Sequence, residues 1–184
     1  EAIDQYLKAV FDEGEASSVF SADETKVMSI ESIRVLDHND NPSVVLDRAH
    51  PFRIEIRYQV REPISDAYVA MTLSTPDSST RICASKDIDL APNGFIERRP
   101  GSHTTVVEFP GGILNVGGYY ARVGLVCSRL SLADQGHSQR FELFDYGDVG
   151  NYQTSLPSSK RGILALPLSW STKAQSSDRS QISH

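Results

Sequence analysis

The chain has 184 residues, of which 39% are hydrophobic and 23% are charged, a composition typical of a folded globular domain and unlike that of a disordered chain. Its 18 Lys and Arg residues against 24 Asp and Glu residues give a formal net charge of −6, and no basic run is present, so we expect no binding to nucleic acid. No stretch approaches the ~18 consecutive apolar residues of a membrane-spanning helix.

The first segment of the chain predicts a short helix. Within residues 2–11, apolar side chains recur at helical spacing: Ile3, Tyr6, Leu7, Val10 and Phe11. Gly14 and the serines that follow indicate a helix stop and a linker, so we assign residues 1–26 to this unit. The start is acidic, unlike a signal peptide, and has no initiator Met, so we expect a domain cut from a longer polypeptide.

From Val27 onward the hydrophobic period changes to two. The clearest case is Phe52–Val60, where alternate residues are apolar and the others are polar, as in a strand of an antiparallel sheet with one face in water. Similar runs occupy Ile30–Asp37, Ala67–Thr75, Arg81–Ser85, Thr104–Phe109, Gly118–Arg129, Gln139–Asp145 and Ile163–Trp170. About eight strands separated by turn signals predict an all-β sandwich over residues 27–171, with a closed barrel as the alternative. Residues 172–184 have no apolar periodicity and are predicted to be a disordered tail.

No set of residues predicts catalysis. The nucleophile elbow, the phosphate-binding loop and the zinc-protease motif are all absent, and the five histidines are scattered among turns. We therefore expect no enzyme activity and no cofactor. The string Asp37-His-Asn-Asp-Asn-Pro42 resembles a calcium-binding sequence, but a plain turn explains it as well, and we favour the turn. Cys83 and Cys127 are predicted to be buried free thiols.

Several stretches, taken in order, carry a resemblance to a known family. They are Ile33-Arg-Val-Leu-Asp37, Phe52-Arg-Ile-Glu-Ile-Arg-Tyr58, Arg99-Pro-Gly101, Val106-Val-Glu-Phe-Pro-Gly111, Ile113-Leu-Asn115-Val-Gly-Gly-Tyr119-Tyr-Ala-Arg-Val123, Phe141-Glu-Leu-Phe-Asp145 and Arg161-Gly-Ile-Leu-Ala-Leu-Pro-Leu-Ser-Trp170. This order resembles the C-terminal domain of Wzt-type proteins, which are the nucleotide-binding subunits of ABC transporters that export O-antigen polysaccharide.

The resemblance implies an immunoglobulin-like antiparallel β-sandwich that binds the exported glycan at its modified non-reducing terminus. It also implies a homodimer, and it leaves open whether terminal strands are exchanged. The implied partners are the nucleotide-binding domain and the membrane subunit of the parent transporter, and the implied location is the cytoplasmic side of the bacterial inner membrane. The ATPase motifs are absent from this sequence, so the chain itself is not expected to bind ATP.

No family motif carries a binding site over to this sequence, so we infer candidates from chemistry. Arg53, Arg57 and Gln59 lie on the polar face of Phe52–Val60, and Tyr120 and Arg122 lie on the corresponding face of Gly118–Arg129. If these two strands share a sheet, their side chains form an Arg and Tyr surface suited to a sugar acid. The alternative is an ordinary solvated face or a dimer face.

Two other functions stay open at this stage. One is a β-sandwich carbohydrate-active or calcium-binding extracellular module, which would use the residues of the Asp37–Asn41 turn. The other is a structural dimerisation or adhesion module without a small ligand.

Overall fold

The computed structural model describes residues 16–91, 96–127, 134–146 and 162–165. Within these ranges the regular structure consists of strands. They are β1 (Ser17–Val19), β2 (Met28–Leu36), β3 (Val45–Asp47), β4 (Phe52–Val60), β5 (Ala67–Ser74), β6 (Arg81–Lys86), β7 (Gly101–Phe109), β8 (Gly117–Cys127) and β9 (Asp134–Phe144).

The strands form two sheets that pack face to face. One sheet has four antiparallel strands in the order β1-β2-β4-β7, and the other has five strands in the order β3-β9-β8-β5-β6. Neighbouring strands of the five-stranded sheet are antiparallel, except that the short β3 pairs with β9 in parallel. This arrangement confirms the predicted all-β sandwich.

The core lies between the sheets and follows the two-residue period of the sequence. The five apolar residues of β4 are each at most 3% exposed: Phe52, Ile54, Ile56, Tyr58 and Val60. From β8, Tyr119, Ala121, Val123, Leu125 and Cys127 face them, all buried. Burying each large side chain of this kind contributes about 1.5–3 kcal/mol, so the alternation both selects the inward face and holds the sheets together.

The sequence analysis missed two strands, and three predicted elements lie wholly or mostly outside the described residues. β1 and β3 have three residues each, too short for a readable period. β1 lies inside the segment that we assigned to a linker and pairs with β2. The predicted helix at residues 2–11 and the tail lie outside the described ranges, as does most of the predicted strand Ile163–Trp170. From that last run, Leu164 forms a bridge with Leu114.

The two cysteines are both free, but only one of them is buried. Cys127 lies in the core, as predicted, whereas the prediction of a buried Cys83 is wrong, because that residue is exposed. Its strand, β6, is an edge strand of the five-stranded sheet in the part of the chain that the structure describes. An edge position leaves the side chain without a neighbouring strand to cover it.

The Asp37 string forms a turn whose polar groups bind one another. The Asp37 carboxylate accepts hydrogen bonds from the backbone amides of Asn39 at 2.8 Å and Asn41 at 2.9 Å. Asp40 adopts a left-handed conformation with φ 65° and pairs with Arg53. Asp and Asn tolerate that conformation and cap their own turns, so the turn interpretation accounts for each of these residues.

Candidate functional site: the outer face of the five-stranded sheet

The five predicted site residues lie on opposite sides of the molecule. Arg53, Arg57 and Gln59 belong to β4 in the four-stranded sheet, whereas Tyr120 and Arg122 belong to β8 in the five-stranded sheet. Because the inner faces of the two sheets form the core, the outer faces point away from each other. The combined surface expected from a shared sheet therefore does not form.

The outer face of the four-stranded sheet carries a network of ion pairs. Arg57 Nε lies 3.1 Å from Glu55 Oε1, and Arg34 Nη2 lies 2.6 Å from the same oxygen. Arg53 pairs with Glu108 at 2.9 Å and also with Asp40. Each arginine of this face has a carboxylate partner, so its charge is largely compensated within the protein.

The outer face of the five-stranded sheet has a different composition. Register places Tyr120 between Ser74 and Arg140, and Arg122 between Thr72 and Ser138. The next row pairs Gly124 with Ala70, which in turn pairs with Lys86. We refer to this surface as the five-stranded face and define it by these residues together with Tyr68: Tyr68, Ala70, Thr72, Lys86, Tyr120, Arg122, Gly124, Ser138 and Arg140.

Small side chains leave a shallow depression at the centre of the five-stranded face. Ala70, Thr72 and Gly124 occupy adjacent strands, about 4.8 Å apart, and none of them rises far above the sheet. A Cβ atom added at Gly124 would meet only the Asp134 carbonyl oxygen, at an ordinary contact distance of 3.6 Å. Packing therefore does not require a glycine there, and the missing side chain leaves room above the sheet beside Arg122.

The positively charged side chains of this face have fewer carboxylate partners within the protein than the arginines of the four-stranded sheet. Arg122 Nη2 donates to the hydroxyl of Ser78, which is neutral. Lys86 Nζ lies 4.7 Å from the centre of the Tyr68 ring, a cation–π contact. Arg140 pairs with Glu142 at 2.5 Å. Arg140 and Lys86 thus each have a carboxylate nearby, Glu142 and Asp89, whereas the side-chain partner of Arg122 is neutral.

Ser78, the partner of Arg122, belongs to a hydrogen-bonded turn between β5 and β6. The Asp77 carboxylate accepts hydrogen bonds from Thr75 Oγ1 at 2.6 Å, Ser79 Oγ at 2.7 Å and the Ser79 amide at 3.1 Å. These bonds, the one from Thr75 above all, lower the pKa of Asp77 to about 2. Ser78 sits between them with a left-handed φ of 58°. Sequence reasoning found the turn but not its contact with Arg122, which is 44 residues away in sequence.

Two clefts also open at the surface of the described residues, and the sequence analysis missed both. One has a volume of about 260 Å³ and lies between β7 and the β5–β6 hairpin, where Leu90 is 98% exposed. Its charged lining is Asp87, Asp89 and Glu108 against Lys86. The other, of similar volume, lies beside Cys127 and is lined by Glu62 and Asp66. Both clefts present more carboxylates than cations.

Among the described residues, no helix has the length and apolar character needed to cross a membrane. Residues 16–91, 96–127, 134–146 and 162–165 contain no group of three or more His, Cys, Asp or Glu side chains placed to hold a metal ion.

Comparison with known proteins gives one informative match. No family model matches the sequence, and no curated protein matches it. Among solved structures, the C-terminal domain of Wzt superposes with a TM-score of 0.63 and 13% sequence identity, covering 80% of this chain and 85% of that one. The β-glucosidase EmGH1 of Erythrobacter marinus and a β-glucosidase of Listeria innocua have TM-scores of 0.40, with 10% and 9% identity over 65% of this chain and 16% of theirs. Those two scores are too low to support an argument.

Proposed function

We propose that the domain binds the O-antigen polysaccharide of an ABC exporter and recognises its non-reducing terminus. The premise is that the sandwich has the fold of the C-terminal domain of Wzt, which confirms at the level of fold the resemblance found in the ordered sequence motifs. The observation that carries the proposal is the match in fold over 80% of the chain, which agrees with the resemblance found in the ordered sequence motifs.

The five-stranded face is the binding surface in this proposal. A sugar has weakly apolar ring faces and hydroxyl groups at its edges, so a glycan-binding surface needs an aromatic platform beside planar hydrogen-bonding groups. Tyr120 supplies the platform in a half-buried position, and the exposed Arg122 supplies the donors. The shallow depression at Gly124 and Ala70 lets a ring approach the sheet.

The opposite face serves this role less well. A sugar bound over Arg57 or Arg53 would have to compete with the carboxylates that these arginines already contact. Gln59 donates to the neighbouring Val60 carbonyl oxygen at 3.4 Å. Binding by Arg53, Arg57 and Gln59 stays a prediction from sequence, and the variants below distinguish the two faces.

Variants on the two faces test the location of the site. We expect Tyr120→Ala to weaken binding of the source bacterium's O-polysaccharide about tenfold or more, because the stacking platform is lost. Arg57→Ala, on the opposite sheet, is the matched control and should bind like the wild type. Calorimetry gives the affinities, and thermal unfolding should show both variants close to wild-type stability, since neither side chain is in the core. Loss of binding in Arg57→Ala alone would move the site to the four-stranded sheet.

The number of domains bound per polysaccharide chain tests whether the domain recognises the non-reducing terminus. An unbranched polysaccharide has one non-reducing end whatever its length, so we expect one domain bound per chain for both short and long size fractions. Several domains per long chain would show that internal repeats are recognised instead. That result would contradict terminus recognition and leave polysaccharide binding intact.

The same proposal extends to assembly and location. We infer that the domain works as a homodimer attached to the nucleotide-binding domain of its transporter, beside the membrane subunit at the cytoplasmic face of the inner membrane. The domain type to which the fold belongs supports this inference. Sedimentation of the isolated domain at several concentrations measures whether it pairs without the rest of the transporter.

A further inference from the structure

The distribution of charge on the two outer faces carries a further inference. The chain has a formal net charge of −6, yet the five-stranded face presents three cations, Lys86, Arg122 and Arg140. Arg140 pairs with Glu142 and Lys86 interacts with Asp89, whereas Arg122 contacts a neutral hydroxyl. An uncompensated cation attracts an anionic ligand at short range even on a protein whose net charge is negative. The four-stranded face, with each arginine paired, provides an internal comparison.

Of the three cations, Arg122 has the least compensated charge. Its guanidinium has five N–H donors, and the Ser78 hydroxyl accepts from one of its nitrogens. A hydroxyl orients the guanidinium without neutralising it, whereas the carboxylate of Glu55 both orients and neutralises Arg57. The remaining donors of the exposed Arg122 keep the fork geometry that matches a carboxylate or phosphate group.

The fixed turn makes this arrangement specific to Arg122. Asp77 holds Ser79 and Thr75, and Ser78 lies between them with its hydroxyl on the guanidinium. A guanidinium oriented before the ligand arrives loses less side-chain entropy on binding. A neutral sugar placed against it would remove water from the charge and return no opposite charge, which is unfavourable.

We propose that the five-stranded face selects glycans bearing an anionic substituent and that Arg122 is the residue that binds it. The inference rests on the proposed function, because it names the class of ligand for the same face. A uronic acid carboxylate and a phosphate ester both provide the required group, and the test separates them.

The experiment compares three preparations of the source bacterium's O-polysaccharide: native, carboxyl-reduced, and treated with aqueous hydrogen fluoride to remove phosphate. We expect the native polymer to bind wild-type domain about tenfold or more tightly than the preparation that has lost its anion, which corresponds to about 1.4 kcal/mol. Loss on carboxyl reduction identifies a uronate, and loss on dephosphorylation identifies a phosphate.

Variants of Arg122 complete the test. Arg122→Gln should bind native polymer about tenfold less tightly and no longer distinguish the treated polymers, while Arg122→Lys should restore part of the discrimination. Arg34→Gln is the matched control: Arg34 lies on the opposite face, pairs with Glu55 and is not a candidate binding residue, so this variant should behave like the wild type. Equal binding of all three preparations by the wild type would overturn the anionic inference and leave the proposed function standing. If the wild type binds none of the three preparations, the proposed function fails and the inference fails with it, whether or not the domain binds phosphatidylglycerol vesicles.

Discussion

At the scale of single residues, the buried carboxylate of Asp134 links the two sheets. It begins β9 of the five-stranded sheet, is 4% exposed, and accepts a hydrogen bond at 2.8 Å from the Ile30 amide of β2 in the other sheet. Lys26 Nζ at 2.9 Å and His137 Nε2 at 3.1 Å approach the second carboxylate oxygen. One carboxylate therefore accepts from three donors, two of them in residues 26–30 and one in β9.

The pKa of Asp134 sets the pH at which this contact weakens. Burial alone would raise the pKa, but hydrogen bonds from Lys26, Ile30 and His137 outweigh it and hold the pKa below the ordinary value of 3.8. A carboxylate with a lowered folded-state pKa stabilises the fold above its unfolded pKa, and the contribution is lost as the pH falls through the folded pKa. We expect the free energy of unfolding to fall as the pH drops below about 4.

Asp134→Asn tests this contribution. Removing the charge should lower the free energy of unfolding at pH 7 by about 2–4 kcal/mol, because Lys26 loses its buried partner and the amide NH₂ cannot accept hydrogen bonds. The variant should also lose less stability than the wild type between pH 5 and pH 3. Urea unfolding across that range measures both effects. Asp23→Asn is the control, since the exposed Asp23 contacts the same lysine. If the two variants behave alike, Asp134 does not act as the link between the sheets.

At the scale of elements, the β7–β8 turn packs backbone against backbone on the segment after β3. A Cβ atom added at Gly111 would lie 2.2 Å from the Ala49 carbonyl oxygen, far inside van der Waals contact. Next to it, the Gly112 amide donates to the Arg48 carbonyl oxygen at 2.7 Å. The glycine is therefore required by the close approach of two chain segments.

Gly111→Ala should separate these two segments. We expect the free energy of unfolding to fall by about 1–3 kcal/mol, the usual cost of forcing extra volume into a packed site. Gly124→Ala is the matched control, because its new methyl group would make only an ordinary contact, and its stability should match that of the wild type. Chemical unfolding of both variants measures the difference. Equal stability of the two would mean that the turn moves away from Ala49 at little cost.

The strands illustrate what sequence can and cannot predict. The alternation in Phe52–Val60 predicts both the bounds and the buried face of β4, because burial on one side of a strand imposes a period of two. Pairing between strands leaves no such period, so Arg57 and Tyr120 could not be placed on opposite faces from sequence. The contact of Arg122 with Ser78 was missed for the same reason, since it depends on the register of β8 against β5.

At the scale of the whole molecule, the two cysteines differ in their accessibility to a thiol reagent and so show whether the sandwich opens. Cys83 is exposed on an edge strand, whereas Cys127 is 1% exposed in the core. Although Cys83 is exposed as a residue, neighbouring atoms partly desolvate its thiol and raise the pKa, so the reactive thiolate is scarcer at neutral pH than that of a free cysteine.

Thiol labelling should therefore count one cysteine in the native protein and two in denaturant. The native reaction should be slower than that of glutathione at pH 7.5 and should accelerate as the pH rises toward 9. Cys83→Ser should abolish the native signal, and Cys127→Ser should preserve it. Rapid labelling of Cys127 in native buffer would show that the two sheets separate far more often than a packed core permits.

The hydroxyl that orients Arg122 belongs to the tip of a hairpin, and this position has an evolutionary consequence. Hairpin tips accept substitutions and insertions at little cost to stability, because few buried contacts depend on them. Replacing Ser78 by an acidic residue would cancel the adjacent charge, and lengthening the tip would remove the support altogether, in both cases without disturbing a core residue. Under the proposed function, the preference of the domain for its glycan would therefore change through a few substitutions in one exposed loop.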